Sequence, residues 1–242
     1  MELRLQVFLA RAGAGSRRRM ERAMAEGRVT VNGKLVKEMG AKVDPERAVV
    51  ALDGRTVQLP TSYTYVILNK PRGVLSAARD HRGRRTVVDL LPARWRKARL
   101  YPVGRLDLDS DGLILMTDHG ELAHRLMHPR FQHEREYRVS VSAKPDQDAL
   151  DRLNRGIELE DGMTAPATVE VLNERGSSTE LRVVLREGKK RQIRRMLSAC
   201  GLRAVRLRRV RLGGIDLGVL SPGDSRELNA GERRRLLTTV GM

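Results

Sequence analysis

Apolar residues near the start of the chain recur at two spacings, which predict helices followed by a small sheet. Leu5, Phe8 and Leu9 share one face of a first helix, and Ser16 is a candidate N-cap for a second helix over residues 17–26. Two strand–turn–strand patterns follow, centred on an Asn-Gly and an Asp-Gly dipeptide, which are strong hairpin signals. The paired segments are 29–31 with 34–36 and 49–52 with 56–59.

The rest of the chain alternates short apolar runs with amphipathic segments, without a regular strand–helix order. This pattern predicts an α+β fold, with a mainly antiparallel sheet flanked by helices. The predicted strands are 65–69, 113–117, 136–141, 168–172, 180–185 and 203–210, and the predicted helices are 120–127, 147–155, 190–199 and a short one after Ala230. We therefore predict a small helical and β-hairpin domain over 1–59, a linker at 60–62 and a larger domain over 63–242.

Basic residues dominate the composition, because the 242-residue chain carries a formal net charge of +17. Such a field attracts a polyanion, and the planar fork of arginine suits phosphate. Aromatic residues make up only 3% of the chain, so we expect RNA or DNA to be held mainly through its backbone. The alternative is an arginine-rich protein with solvated charged faces. The basic clusters are 17–19, 94–99, 189–195, 203–211 and 233–235.

Two further features bear on the cellular compartment. No stretch approaches the length of an apolar membrane span, and the first residues lack the apolar run of a signal peptide. Cys200 is the single cysteine, so an internal disulfide is impossible and a reducing environment fits. We expect a cytoplasmic protein.

The stretch from 101 to 118, YPVGRLDLDSDGLILMTD, is the strongest candidate for chemistry. It places Arg105 and Asp107 on a short loop between two extended segments, a common location for reacting groups. The basic helix over 189–195 carries arginines on one face, and such a cation would hold Asp107 ionised as a nucleophile or base. A purely structural Asp–Arg pair is the alternative.

Other kinds of site find less support in the residues. The aspartates of the 101–118 stretch follow the spacing of a calcium loop, but that loop needs flanking helices, and here an apolar strand-like run lies inside it. One cysteine and five scattered histidines give no zinc spacing. No phosphate-binding glycine loop and no serine nucleophile elbow is present. We therefore predict no metal and no cofactor. The residues at the calcium-loop positions are Asp107, Asp109, Asp111, Gly112, Ile114 and Asp118.

The first domain resembles a known RNA-binding module. The stretch LQVFLARAGAGSRRRMERAMAEGRVTVNGKLV is similar to the domain named after small-subunit ribosomal protein S-four, over nearly all of residues 3–59. The resemblance implies that the second helix faces RNA with its arginines. The residues expected at this surface are Arg17, Arg18, Arg19 and Arg22.

The larger domain resembles the RsuA/RluB family of ribosomal-RNA pseudouridine synthases. The matching stretches are LNKPRGVLS from 68, GRLDLDSDGLILMTDHGELAHRLMHP from 104, EREYRVSV from 134 and EGKKRQIRRML from 187. The resemblance implies that Asp107 is the catalytic aspartate and that Arg105 fills the space left by an extruded uridine. It also implies that Tyr137 lies against the flipped base and that Arg194 pairs with Asp107. Further expected RNA contacts are Lys70, Lys189, Lys190, Arg191 and Arg195.

The resemblance implies an isomerase that needs no cofactor, because the C1′–N1 bond of uridine breaks and a C1′–C5 bond forms. Attack of Asp107 at C1′, its addition at C6 and deprotonation at C2′ all remain open. The stretches GELAHRLMHP and RGIELEDGMTA look closer to the RluB branch, so we expect the substrate to be 23S large-subunit rRNA or an assembly intermediate in ribosome biogenesis. We also expect a monomer that does not bind membranes. The alternatives are a 16S small-subunit enzyme and a non-catalytic RNA-binding assembly factor.

Overall fold

A computed structural model describes residues 2–96, 98–175 and 178–242. Lys97, part of the predicted basic cluster 94–99, lies outside the described residues. The chain divides into two compact units, Met1–Tyr63 and Thr64–Met242. Across the described ranges, no helix combines the length and the apolar character that a bilayer span requires.

The smaller unit confirms the two predicted helices and both hairpins. The Ser16 hydroxyl accepts a hydrogen bond from the Arg19 amide at 3.2 Å, so it caps the second helix as its sequence position predicts. Asn32 and Asp53 take positive φ angles of 49° and 51°, which the tight turns require. The elements are β1 (Leu3–Arg4), α1 (Leu5–Arg11), α2 (Arg17–Ala25), β2 (Val29–Val31), β3 (Lys34–Leu35), β4 (Lys42–Val43), β5 (Val50–Leu52) and β6 (Arg55–Thr56).

Two sheets form in this unit. One has the antiparallel order β3-β2-β5-β6, and the other is the pair β1-β4. The β1-β4 pair was not predicted, because each strand has only two residues and shows no alternation. The helices pack Leu5, Phe8, Leu9, Met20 and Met24 into the core of the unit.

In the ranges that the structure describes, the larger unit is built on a nine-stranded sheet. Its main path has the order β11-β12-β10-β13-β9-β7-β15, with β14 beside β13 and β8 beside β9. The predicted α+β class is confirmed, with a mixed sheet flanked by helices. The elements are β7 (Tyr65–Lys70), α3 (Ala93–Arg96), β8 (Tyr101–Val103), β9 (Asp111–Thr117), α4 (Gly120–Met127), a 3₁₀ turn (Pro129–Phe131), β10 (Arg135–Val141), α5 (Gln147–Arg155), β11 (Thr168–Arg175), β12 (Ser178–Leu185), α6 (Gln192–Ala199), β13 (Ala204–Leu212), β14 (Ile215–Asp216), β15 (Ser225–Glu227) and α7 (Ala230–Thr239).

The joint between the two halves of this sheet is its one parallel pairing in the described ranges. β9 and β13 pair only at Asp111 with Arg208 and at Gly112 with Arg209. Gly112 has φ +107°, and a Cβ there would lie 2.2 Å from the carbonyl oxygen of Arg209. Glycine is therefore required for the two strands to approach.

β8 shares the same edge of β9 as β13, although it was not among the predicted strands. It pairs with Leu115, Met116 and Thr117, beyond the two residues that β13 uses. Proline is tolerated there because β8 has only three residues and needs few ladder bonds. Between the two partner strands, the carbonyl of Leu113 accepts a hydrogen bond from Nε of Arg209 at 2.8 Å.

The β9–β13 joint yields a prediction about stability. Gly112→Ala should destabilise the protein by about 3 kcal/mol, because the added methyl group overlaps the Arg209 backbone and the left-handed φ adds strain. Gly218→Ala is the matched control: its φ is +61°, but no atom lies within 4 Å of the added Cβ, so a cost of about 1 kcal/mol is expected. Urea denaturation measures both, and equal losses would contradict the role of the close approach.

Candidate active site

A cleft of about 620 Å³ opens in the larger unit, at the edge of β9 where β8 and β13 are neighbours. Its lining comes from the loop before β9, the segment leading into α6, and the strands β10 and β13. The structure thus brings together most of the site residues predicted in this unit. Those that line the cleft are Arg105, Asp107, Tyr137, Lys189, Lys190, Arg191 and Arg194.

The loop that carries Asp107 is fixed through its backbone. The hydroxyl of Ser76 donates to the carbonyl of Leu106 at 2.8 Å and accepts from the Leu106 amide at 3.0 Å. The amide of Gly73 donates to the carbonyl of Leu108 at 2.8 Å. Bonds on both sides of Asp107 therefore hold its position without using its side chain. The sequence did not identify Ser76 as part of the site, since a serine in a loop carries no distinguishing pattern.

The three aspartates of this loop have different surroundings. Asp109 receives hydrogen bonds from both terminal nitrogens of Arg191, at 3.2 and 3.1 Å. These bonds hold the pKa of Asp109 below its usual range, and the charge of Arg194 adds to the effect. Asp111 pairs with Arg206 at 2.6 Å. Neither of these two carboxylates lines the cleft.

Asp107 is the aspartate that remains available. Its carboxylate lines the cleft, its side chain is 38% exposed, and its ion pair is with Arg191 at 3.6 Å. This distance exceeds that of a hydrogen bond, so the carboxylate is oriented by charge and keeps its lone pairs for a ligand.

The expected pairing of Arg194 with Asp107 is wrong. One terminal nitrogen of Arg194 donates to the carbonyl of Ala204 at 3.0 Å, and the other lies 3.3 Å from both the carbonyl and the carboxylate of Asp109. The cation beside Asp107 is Arg191, which takes a left-handed conformation with φ 51° directly before α6. That conformation lies outside helical geometry, so helical spacing did not predict the direction of its side chain.

Lys70 was expected to contact RNA, but the structure places it inside the protein. Its side chain is fully buried, and its ammonium donates to the carbonyls of Pro71 at 3.0 Å and Ser110 at 2.7 Å. Burial lowers the pKa of Lys70 to about 8, although the three loop aspartates oppose the shift. Lys70 is therefore an internal support under the aspartate loop.

Lys189 was also expected to contact RNA, but its side chain is engaged within the protein. Its ammonium donates to the carbonyls of Asp161, Gly162 and Met163, which uses all three protons. Arg195 makes an ion pair with Asp161 at 2.6 Å. Arg105 and Lys190 are exposed, and neither side chain forms a hydrogen bond within the described part of the chain. In the smaller unit, Arg17, Arg18, Arg19 and Arg22 are exposed on α2.

Strand β10 forms the floor of the cleft together with β13. Tyr137 lies directly opposite Arg209 in this antiparallel pair, so both side chains share one face. Arg135, two residues before Tyr137, lies on the same face by strand alternation. Arg135 and Arg209 line the cleft and were missed, although the period-two spacing from Tyr137 could have identified Arg135.

The calcium-like spacing does not produce a calcium hand. β9 begins at Asp111, inside the supposed loop, and arginines pair with Asp109 and Asp111. In the part of the chain that the structure describes, no three His, Cys, Asp or Glu side chains are grouped to hold a metal ion.

Comparisons with known proteins agree with this architecture. Residues 64–199 match the RNA pseudouridylate synthase family, and residues 3–49 match the S4 domain. A protein from Aquifex aeolicus named "uncharacterized RNA pseudouridine synthase" is 43% identical over 100% of this chain and 96% of its own length. A Bacillus subtilis protein named "ribosomal large subunit pseudouridine synthase B" is 40% identical over 96% of this chain and 95% of its own. A crystal structure of a pseudouridylate synthase superposes with a TM-score of 0.70 at 28% identity, over 97% of this chain and 99% of that one.

The buried ammonium of Lys70 gives a pH-dependent prediction. Its pKa is about 8 in the folded protein and 10.5 ordinarily, so between these values the unfolded chain binds more protons and stability rises with pH. The free energy of unfolding of wild type should therefore increase relative to that of Lys70→Met between about pH 7.5 and about pH 9.5. Chemical denaturation at both pH values measures this. Lys190→Met, which removes an exposed ammonium, should show no such change, and a constant difference for Lys70→Met would contradict the assignment.

Proposed function

Because the chain belongs to the RNA pseudouridylate synthase family, we propose that it isomerises a specific uridine of large-subunit ribosomal RNA, with Asp107 as the reacting carboxylate. The observation that carries the residue assignment is the division among the loop aspartates. Asp109 and Asp111 are engaged by arginines and do not line the cleft, whereas Asp107 lines it and its carboxylate makes no hydrogen bond with a described residue.

The choice of large-subunit RNA follows from similarity along nearly the whole chain. The Bacillus subtilis relative, whose name states this substrate, is covered over 95% of its length. The similarity therefore includes both units. It covers the parts of the protein that would select an RNA and also the parts that would react with it.

The size and polarity of the cleft suit a flipped nucleoside. Its volume of about 620 Å³ lies within the range of about 300–1,000 Å³ typical of small-molecule sites. Ser110, Arg194 and Arg209 line it, and each has a buried polar atom without a hydrogen-bond partner among the described residues. Unsatisfied polar atoms at a cleft favour a polar ligand, because its binding would remove their desolvation cost.

The reaction transfers no group to or from another molecule. The C1′–N1 bond breaks, the uracil turns, C5 bonds to C1′, and the proton lost from C5 is balanced by one gained at N1. A base in a stem has to leave its stack before this chemistry, so we assign extrusion to Arg105. Its exposed guanidinium is two residues from Asp107 and is free to occupy the vacated space. Tyr137 presents a ring and a hydroxyl to the base from the floor.

The smaller unit would supply RNA affinity. Its match to the S4 domain spans residues 3–49, which include all four exposed arginines of α2. Phosphate contacts of this kind add affinity that depends on salt and do not take part in the reaction.

Pseudouridine mapping tests the function directly. Unmodified large- and small-subunit rRNA transcripts and ribosome assembly intermediates are treated with wild type or Asp107→Asn, and one new site in large-subunit RNA is expected with wild type. Asp107→Asn should reduce turnover by at least about a thousandfold, since it removes the reacting carboxylate. Asp109→Asn keeps that carboxylate and should retain more activity. A site in small-subunit RNA would overturn the substrate, and full activity of Asp107→Asn would overturn the residue assignment.

The role of α2 generates a second prediction. Replacing Arg17, Arg18 and Arg19 together by Gln should weaken RNA binding and reduce the slope of log affinity against log salt by about 2 to 3. The matched control replaces Arg233, Arg234 and Arg235, an equally exposed arginine triplet in α7. Filter binding over a salt series measures both slopes, and identical slopes for the two triple variants would rule out α2 as the RNA surface.

A further inference from the structure

Arg209 is an unusual charged group in the floor of the cleft. It is 2% exposed, and its Nε donates to the carbonyl of Leu113 at 2.8 Å. Nη2 is buried and has no hydrogen-bond partner among the described residues. No carboxylate in those residues lies within ion-pair distance of the guanidinium. The positive charge of Arg209 is therefore buried without compensation.

Arg135 adds a second guanidinium to the same face. One of its terminal nitrogens donates to the carbonyl of Leu126 at 3.1 Å, and no ion pair with a described carboxylate forms. Burial lowers the pKa of Arg135, and the charge of Arg209 lowers it further. The two cations thus lie near each other where solvent screens them little.

The nearest carboxylates in the sequence are already committed. Glu134 pairs with Arg186 at 3.0 Å and with Arg211 at 3.2 Å. Glu136 points to the other face of β10 by strand alternation, where it pairs with Arg211 at 3.0 Å and with a further arginine. Neither acid compensates Arg135 or Arg209.

An unpaired buried charge destabilises the folded protein, and a purely structural role would not justify keeping it. An anion entering the cleft would offset that cost, because it would accept hydrogen bonds from both guanidinium groups. The lining of the cleft favours a negatively charged ligand, because its cationic residues outnumber its two carboxylates, Asp107 and Glu187. The cations are Arg105, Arg135, Lys189, Lys190, Arg191, Arg194 and Arg209.

We propose that Arg135 and Arg209 form an anion subsite that binds the phosphate of the nucleotide entering the cleft. The subsite rests on the proposed function, because that function supplies the nucleotide. Its role is to fix the position of the target nucleotide relative to Asp107 and Tyr137. Arg135 and Arg209 are therefore positioning residues and take no part in proton or bond exchange.

Ligand binding to the full chain tests the subsite without requiring turnover. Uridine, uridine 5′-monophosphate and uridine 3′-monophosphate are titrated into wild type and Arg209→Met by calorimetry, and thermal unfolding is followed with the same ligands. In wild type, at least one monophosphate should bind about 10-fold or more tightly than uridine, as expected for charge-assisted hydrogen bonds. The favoured isomer identifies the phosphodiester that is recognised. Arg209→Met should reduce this preference to near unity.

The control and the unliganded protein separate this role from a structural one. Arg234→Met removes an exposed cation of α7 that does not line the cleft, and it should keep the preference for the monophosphate. Without ligand, Arg209→Met should melt at the same temperature as wild type or higher, because it removes an uncompensated buried charge. Arg135→Met provides a second test with the same expected loss of preference.

Three outcomes would overturn the subsite. They are a wild type with no preference for either monophosphate, an Arg209→Met variant that keeps the preference, and a variant that melts much lower while its preference is unchanged. The proposed function fails separately, because it depends on rRNA mapping with Asp107→Asn, and these binding measurements involve no product.

Discussion

The site depends on the placement of three carboxylates within five residues of one loop. Such charges repel one another, so nearby cations have to offset them for the loop to keep one conformation. Arg191, directly before α6, and Arg194 in α6 hold Asp109, and Arg206 in β13 holds Asp111. Asp107 shares Arg191 at a longer distance. Two of the aspartates thus anchor the loop, and their anchoring leaves the third carboxylate in the cleft.

The side chains that support this loop from beneath are polar and buried, and burying polar groups carries a desolvation cost. Lys70 donates its protons to backbone carbonyls, and Ser76 binds Leu106 in both directions. Burial of an ammonium disfavours its charged form, yet three aspartates within Coulombic range favour it. The loop therefore stays fixed while the carboxylate of Asp107 makes no hydrogen bond with a described residue, and rigidity of this kind preorganises that carboxylate for a ligand.

Much of the fold could be predicted because its long elements have strong periodicity. The helices at 120–127 and 147–155 have the predicted bounds, and β9 extends the predicted strand by two residues. Prediction from the sequence pattern fails where contacts with residues distant in sequence determine the local structure. β8 forms because the edge of β9 is available for pairing. Lys70 is the last residue of the apolar strand β7, and it is buried like the residues before it. Arg209 stands in a run of basic residues, so only the register with Tyr137 distinguishes it from its neighbours.

The two-residue joint between β9 and β13 also sets an order of events during synthesis. Arg209 and the Leu113 carbonyl that it contacts are separated by 96 positions in the sequence. The aspartate loop therefore leaves the ribosome long before the arginines that neutralise it, and closing so long a segment is entropically costly. A nascent chain carries the aspartate loop without the partners that shape the cleft. The cleft is consequently completed late, when β13 pairs with β9 at Gly112.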